Sequence, residues 1–174
     1  VHLWATEGAG LPKPCSLMYG QSSRGTPQMF NIHLPWDDGT LYFDCGTDGT
    51  NMDRIQKAVP ADLYKGKWTH WAFSKNATSG EMKIFCNGVL WHSDTGKKRT
   101  IGSLQKLTLG AVFLPSFTTY YPGKIAELSI WSRALTQDEI QRIKDKPLVG
   151  NEANLCAYYS FDATKATDLT ANKR

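Results

Sequence analysis

The sequence predicts an all-β domain, and three observations carry that prediction. Apolar and polar residues alternate at period two in stretch after stretch, as over residues 29–34, where Phe30, Ile32 and Leu34 share one face and Asn31 and His33 the other. Turn residues punctuate these stretches, with 15 Gly and 8 Pro in 174 residues and an Asn87-Gly88 pair between two apolar runs. Strong helix formers are scarce: only five Glu occur, against 6 Trp, 7 Tyr and 7 Phe, which suits short strands and tight turns. Many short strands joined by turns make an antiparallel sandwich or barrel.

In chain order, a first strand is expected over residues 1–5. Residues 29–34 and 40–45 form a hairpin around Pro35-Trp36-Asp37-Asp38-Gly39, with Leu41, Phe43 and Cys45 opposite Tyr42 and Asp44. Residues 68–74 set Thr69, Trp71 and Phe73 against Trp68, His70 and Ala72. The run from Glu81 to Ser93 folds back on itself at Asn87-Gly88, and further strands are expected over 104–109, 124–131 and 155–161. One short helix interrupts the pattern near 137–144. Thr136-Gln137-Asp138-Glu139 is a capping box, Ile140 and Ile143 make an apolar stripe, and Pro147 stops the helix. Residues 111–122, rich in Phe, Tyr, Pro and Thr, read as an irregular rim loop. Phe30, Phe43, Trp71, Phe73 and Ile84 form the expected core.

Composition excludes several classes. With 41% hydrophobic and 21% charged residues and no long apolar run, the chain describes a globular body with no membrane insertion. The net charge of +4 is spread out, clustering only at Lys97-Lys98-Arg99 and Lys173-Arg174, and no nucleic-acid motif accompanies it. Cys15, Cys45, Cys86 and Cys156 contain no CxxC pair, so a zinc site is not expected; disulfides and buried thiols both stay open. A first residue that is Val suits a processed chain or an excised fragment, and a secreted, extracellular protein is one expectation. No repeat or linker divides residues 1–174, which read as a single domain.

The segments HLPWDDGTLYFDCG, YKGKWTHWAFSKNATSGEMKIFCNGVLWHS, GKIAELSIWSRALTQDEI and LCAYYSFD, in that order, resemble the laminin G-like, concanavalin A-like jelly-roll domains over residues 29–162. The resemblance implies a jelly-roll sandwich and a group that holds lectins, carbohydrate-binding modules, pentraxin-like proteins and adhesive modules. It also implies calcium, because related domains commonly hold it with the Asp of a Tyr-x-Phe-Asp strand and an acidic residue of the strand before the helix. Asp162 matches the first and Glu127 lies near the second, although Ala126 stands where many relatives have Asp. The Tyr-x-Phe-Asp signature stands at 159–162 instead of opening the chain, so either this strand closes the domain or the chain was cut from a tandem array.

The expected function is non-catalytic glycan binding, by a lectin or carbohydrate-binding module assisted by calcium. Its partners would be glycans or glycoproteins, not nucleic acid, and an oligomer is compatible with the sequence. Strand parity turns Asn31, His33, Tyr42, Asp44, Trp68 and His70 away from the core, giving an aromatic and polar face on which sugar rings stack while hydroxyls hydrogen-bond. Trp36, at a loop tip, is a further sugar platform. For calcium, Asp44, Asp48 and Asp53 stand in one oxygen-rich stretch, beside the inherited pair Glu127 and Asp162. Asn76-Ala77-Thr78 is an N-glycosylation sequon. Two alternatives remain: a protein–protein adhesion module, marked by a broad apolar patch, and a glycoside hydrolase, which needs two carboxylates facing across a bond. The five Glu are dispersed, and no Gly-x-Ser-x-Gly elbow occurs.

Overall fold

A computed structural model describes residues 1–7, 10–22, 28–162 and 166–173. Arg174, one of the clustered basic residues, and the Glu7 side chain lie outside what is described. The strands are β1 (His2–Glu7), β2 (Met18–Gln21), β3 (Gln28–His33), β4 (Thr40–Thr47), β5 (Met52–Ala58), β6 (Thr69–Asn76), β7 (Glu81–Cys86), β8 (Val89–Asp94), β9 (Lys106–Leu109), β10 (Ala111–Leu114), β11 (Phe117–Tyr120), β12 (Gly123–Trp131) and β13 (Leu155–Tyr159). One helix, α1 (Gln137–Lys144), and a 3-10 turn at Ala61–Leu63 complete the fold. A six-stranded sheet ordered β13-β12-β1-β6-β7-β8 faces a five-stranded sheet ordered β5-β4-β3-β2-β9, with β10-β11 as a separate hairpin. This is the antiparallel jelly-roll sandwich that the sequence predicts.

The core follows from strand parity. Phe30, Ile32, Leu41, Phe43 and Ile55 point inward from one sheet, and Leu3, Trp71, Phe73, Met82 and Ile84 from the other, all buried. Phe43 and Phe73 meet across the sandwich with ring centroids 5.3 Å apart, and the Phe30 ring lies 5.9 Å from that of Phe43. Polar ties close one side of the sandwich. Lys75 of β6 donates to Asp53 of β5 at 2.6 Å, and Arg99 adds a second charged bond to Asp53 at 2.8 Å. Nearby, Lys57 Nζ donates to the Trp91 carbonyl at 2.9 Å and lies 4.6 Å from the Trp91 ring centroid.

The turns and the helix match their sequence signals. Asn87 and Gly88 have φ of 50° and 81°, as a two-residue hairpin requires. Thr136 accepts from the Glu139 amide while Glu139 accepts from the Thr136 amide, so both halves of the capping box are present. Helix α1 buries Ile140 against Ala72 and Phe85 on the outer face of the six-stranded sheet. All four cysteines are free thiols; Cys156 is half-buried and the others are buried.

Three expectations need correction. Residues 111–122 are not an irregular loop but the β10-β11 hairpin, with Ala111 opposite Tyr120 and Leu114 opposite Phe117. The sequence hides it because both faces of that hairpin carry apolar residues, which erases the alternation. Strands β2 and β5 were missed. In β2, Gly20 stands in close approach, where a Cβ would lie a tight 3.1 Å from the Phe30 Cβ, but glycine weakens a strand signal. In β5, Asp53 takes an inward position at the rim, where Lys75 and Arg99 satisfy it. Finally, β6 lies in the other sheet from the β3-β4 hairpin, so the expected outward face is split between the two sides of the molecule.

Trp71 is fully buried on β6 and its ring stands edge-on to Trp91 at 5.5 Å. Trp71→Ala is expected to cost about 3 to 5 kcal/mol by leaving a large cavity, read as a fall in the urea unfolding midpoint. An unchanged midpoint would mean that the face assignment of β6 is inverted.

Candidate functional site

The outer face of the five-stranded sheet carries the polar residues that parity assigned to it. Asn31 and His33 of β3 lie beside Tyr42 and Asp44 of β4, with Asn31 opposite Asp44 and His33 opposite Tyr42. Arg54 of β5 stands opposite Asp44. These residues do not form the open, solvated face the sequence suggested: Asn31, His33 and Asp44 are buried. The segment running into β2 closes against His33, whose Nδ1 donates to the Cys15 carbonyl at 2.7 Å with Ser16 alongside at 3.3 Å, while Gln28 bonds both Asn31 and Asp44. The β10-β11 hairpin holds that segment in turn, through Thr119 Oγ1 donating to the Pro14 carbonyl at 2.8 Å.

The buried part is a hydrogen-bonded network. Arg54 grips Asp44 in bidentate fashion, Nε to Oδ1 at 2.5 Å and Nη2 to Oδ2 at 2.8 Å, and Gln28 Nε2 donates to the same carboxylate at 2.7 Å. Asn31 Nδ2 donates to Gln28 Oε1 and to His33 Nε2, each at 3.0 Å. With Nδ1 donating and Nε2 accepting, His33 is the neutral tautomer, consistent with burial lowering its pKa. Asp44 has no exposed surface, so it cannot touch a glycan as the sequence suggested.

What remains open is a cleft of about 310 Å³ lined by His33, Trp36, Asp37, Asp38, Tyr42 and Arg54. The β3-β4 turn builds it. Trp36 and Thr40 close the turn by a backbone bond of 2.9 Å, and Gly39 provides the φ of 77° that the reversal needs. Trp36 is held edge-on against His33, with ring centroids 4.4 Å apart. Asp38 accepts from the Thr40 amide at 2.8 Å and from the Tyr42 hydroxyl at 2.6 Å; that hydroxyl lowers the Asp38 pKa and its own rises in return. The Arg54 guanidinium sits 4.8 Å from the Tyr42 ring centroid, and Asp37 is exposed with no hydrogen bond to a described residue. Sequence reasoning found Trp36, His33 and Tyr42. It missed Arg54, whose β5 strand was unrecognised, and read Asp37 and Asp38 only as turn formers.

Trp68 and His70 belong elsewhere. Trp68 is 45% exposed just before β6, while His70 is fully buried on the opposite face of the sandwich. His70 Nε2 lies 3.2 Å from His2 Nδ1, and the Trp4 ring stands edge-on to His70 at 5.4 Å. Burial lowers the His70 pKa to about 4 and holds His2 well below the ordinary imidazole range.

Three of the five calcium candidates, Asp44, Asp48 and Asp53, do not fit the ion. Asp44 is taken by Arg54, Asp53 by Lys75 and Arg99, and Asp48 by Arg99 and by the Thr50 and Asn51 amides. Burial pushes the Asp53 carboxyl up, but those two cations outweigh it and hold it low; the amide bonds and Arg99 hold Asp48 low. Glu127 sits at a bulge in the β1-β12 pairing with φ of 54°, where its carboxylate accepts from the Tyr158 hydroxyl, and Asp162 is exposed beyond β13. Among the described residues no three His, Cys, Asp or Glu side chains come together as a metal site. Asn76 is exposed at the β6-β7 turn, where its Oδ1 accepts from the Thr78 and Ser79 amides.

The model of the family described as the concanavalin A-like lectin/glucanases superfamily matches residues 11–141. Among solved structures, a Bacteroides ovatus protein assigned as carbohydrate-binding superimposes with a TM-score of 0.70 at 16% identity, over 96% of this chain and 48% of that one. The CBM40 of Ruminococcus gnavus IT-sialidase, bound to α2,3 sialyllactose, gives 0.61 at 16% identity over 82% and 80%. The binding domain of botulinum neurotoxin serotype D gives 0.58 at 14% identity over 83% and 36%. The chain thus spans about half the length of the first of these and about a third of the neurotoxin domain. No curated protein matches it.

Asp44→Asn is expected to lower stability by about 1.5 to 3 kcal/mol, since it removes the charged acceptor from Arg54 and Gln28; thermal unfolding measures it, and no change would mean the network carries no load. A pH series tests the buried histidines. Because His70, His2 and His33 have depressed pKa values in the fold, the unfolded chain binds more protons on acidification. The histidine contribution to stability should be full above about pH 6.5 and fall as pH drops toward 4, and His70→Gln should flatten that fall.

Proposed function

The chain belongs to the concanavalin A-like lectin/glucanases superfamily, and from that premise we propose that it is a non-catalytic glycan-binding module whose sugar site is the cleft beside Trp36. The observation that carries this reading is the make-up of the cleft: Trp36 and Tyr42 beside the polar groups of Asp37, Asp38 and Arg54, in about 310 Å³. A pyranose presents apolar C–H faces to an aromatic ring and hydroxyls to carboxylates and guanidinium groups, so this mixture suits it. The volume is at the small end for ligand sites and matches the end of a glycan chain. Similar folds, one a protein assigned as carbohydrate-binding and one a CBM40 bound to sialyllactose, point the same way.

The non-catalytic half of the proposal rests on carboxylate placement. Asp37 and Asp38 are neighbours on one turn, and the third carboxylate, Asp44, is buried under Arg54. Hydrolysis needs two carboxyl groups on opposite sides of the scissile bond, a placement that adjacent turn residues do not give. Calcium is left out of the proposal, because Asp44 and Asp53, read from the sequence as its ligands, are already matched by cations. Extracellular placement stays part of the proposal: an exposed Asn76 supports it, and four free cysteines lend it nothing.

A second reading, adhesion to protein, has one observation in its favour. The β10-β11 hairpin exposes Phe113, Leu114, Phe117 and Tyr120, the last by 60%, in a stretch from Leu107 to Gly123 without a charged residue.

A glycan array, run with and without a chelator, separates the two. Binding of at least one glycan is expected, unchanged by chelation. Trp36→Ala should weaken it by about 2 kcal/mol, roughly thirtyfold, with a nearly unchanged melting temperature. Equal binding by the variant would move the site away from the cleft, and a silent array would favour adhesion.

A further inference from the structure

Resting on the glycan-binding reading above, we propose that the cleft selects its ligand by charge, accepting amine-bearing and uncharged sugar ends and rejecting ends that carry a carboxylate, such as sialic and uronic acids. The argument begins with Arg54, the one cation in the cleft lining. Two of its donor nitrogens are committed to Asp44 at 2.5 and 2.8 Å, and Asp44 is wholly buried, so its charge cancels that of Arg54 at short range and is screened little by solvent.

The remaining charges are the carboxylates of Asp37 and Asp38. Asp38 stays ionised, since the Tyr42 hydroxyl and the Thr40 amide both donate to it. Asp37 stands exposed and unpaired among the described residues. The other groups do not restore positive charge: Tyr42 has spent its proton on Asp38, and His33 is neutral, donating to Cys15 and accepting from Asn31. The cleft therefore presents mostly acceptors and a net negative field. Hydroxyls and ammonium groups suit such a surface, whereas a ligand carboxylate meets the like charge of Asp37 and Asp38, and the Arg54 N–H groups left over belong to a guanidinium whose charge Asp44 already offsets.

The test is the ranking of array glycans whose signal depends on Trp36, followed by titration of the best ones at low and high salt. Among Trp36-dependent glycans, those ending in sialic or uronic acid should bind about tenfold or more weakly than their uncharged counterparts. De-N-acetylated hexosamine oligomers should bind at least as well as the acetylated forms. Added salt should narrow these gaps, and Asp37→Asn should narrow them without it. A sialylated or uronic end bound through Trp36 as tightly as its neutral counterpart would overturn the charge selection while leaving the glycan site standing. A ranking untouched by Asp37→Asn would also overturn it. The absence of any Trp36-dependent glycan would overturn the site itself, and this inference with it.

Discussion

Much of the molecule's chemistry hangs on one ion pair, between Asp44 in the middle of the five-stranded sheet and Arg54 on the neighbouring edge strand. A carboxylate with no exposed surface is costly to bury unless its lone pairs are filled, and here Arg54 and Gln28 fill them. The rest of the polar layer then follows in sequence. Gln28 is oriented by Asp44, Asn31 by Gln28, and His33 by Asn31 and the Cys15 carbonyl, until the chain of bonds reaches the ring on which Trp36 rests. A sheet face that would otherwise be a scatter of polar side chains becomes a fixed floor, and the cleft is the part of that floor left uncovered.

The sandwich was legible because its central strands bury one face each, and a half-buried strand writes itself as alternation. Residues such as Phe43, Trp71 and Ile84 were found for that reason, and the helix was found from its capping box, its Ile140 and Ile143 stripe and the proline that follows. Legibility failed where burial is two-sided or local. The β10-β11 hairpin has apolar residues on both faces, Gly20 gives up its side chain to let Phe30 approach, and Asp53 is an inward-facing charge satisfied by Lys75 and Arg99 from distant parts of the chain. None of these can be read from a local window.

The candidate site shows a different kind of limit. Parity correctly turned Asn31, His33, Tyr42, Asp44 and His70 away from the core, yet facing away is not the same as facing water. Asn31, His33 and Asp44 are buried among Gln28, Arg54 and the Cys15 carbonyl, and His70, beside His2 and Trp4, faces the opposite side. Which sheet a strand joins is a property of topology, decided by pairings such as that of Leu3 with Trp71, and period-two reasoning contains no information about it. Three of the five acidic residues read as calcium ligands, Asp44, Asp48 and Asp53, make the same point, because their partners Arg54, Lys75 and Arg99 lie up to dozens of residues away in sequence.

Helix α1 lies over the outer face of the six-stranded sheet, with Ile140 sealed against Ala72 and Phe85 and Gln137 accepting from the Leu90 amide at 2.9 Å. That roof covers part of one of the two broad faces a sandwich has to offer, and the proposed cleft, on the other face, would be one point of attachment per domain. Cleft sites of this size hold a sugar weakly when they act alone, so tight attachment to a glycan-coated surface would have to come from several copies engaging together. Under that arithmetic the spacing and stiffness of whatever connects the copies would set avidity, through effective concentration, more strongly than any side chain in the cleft.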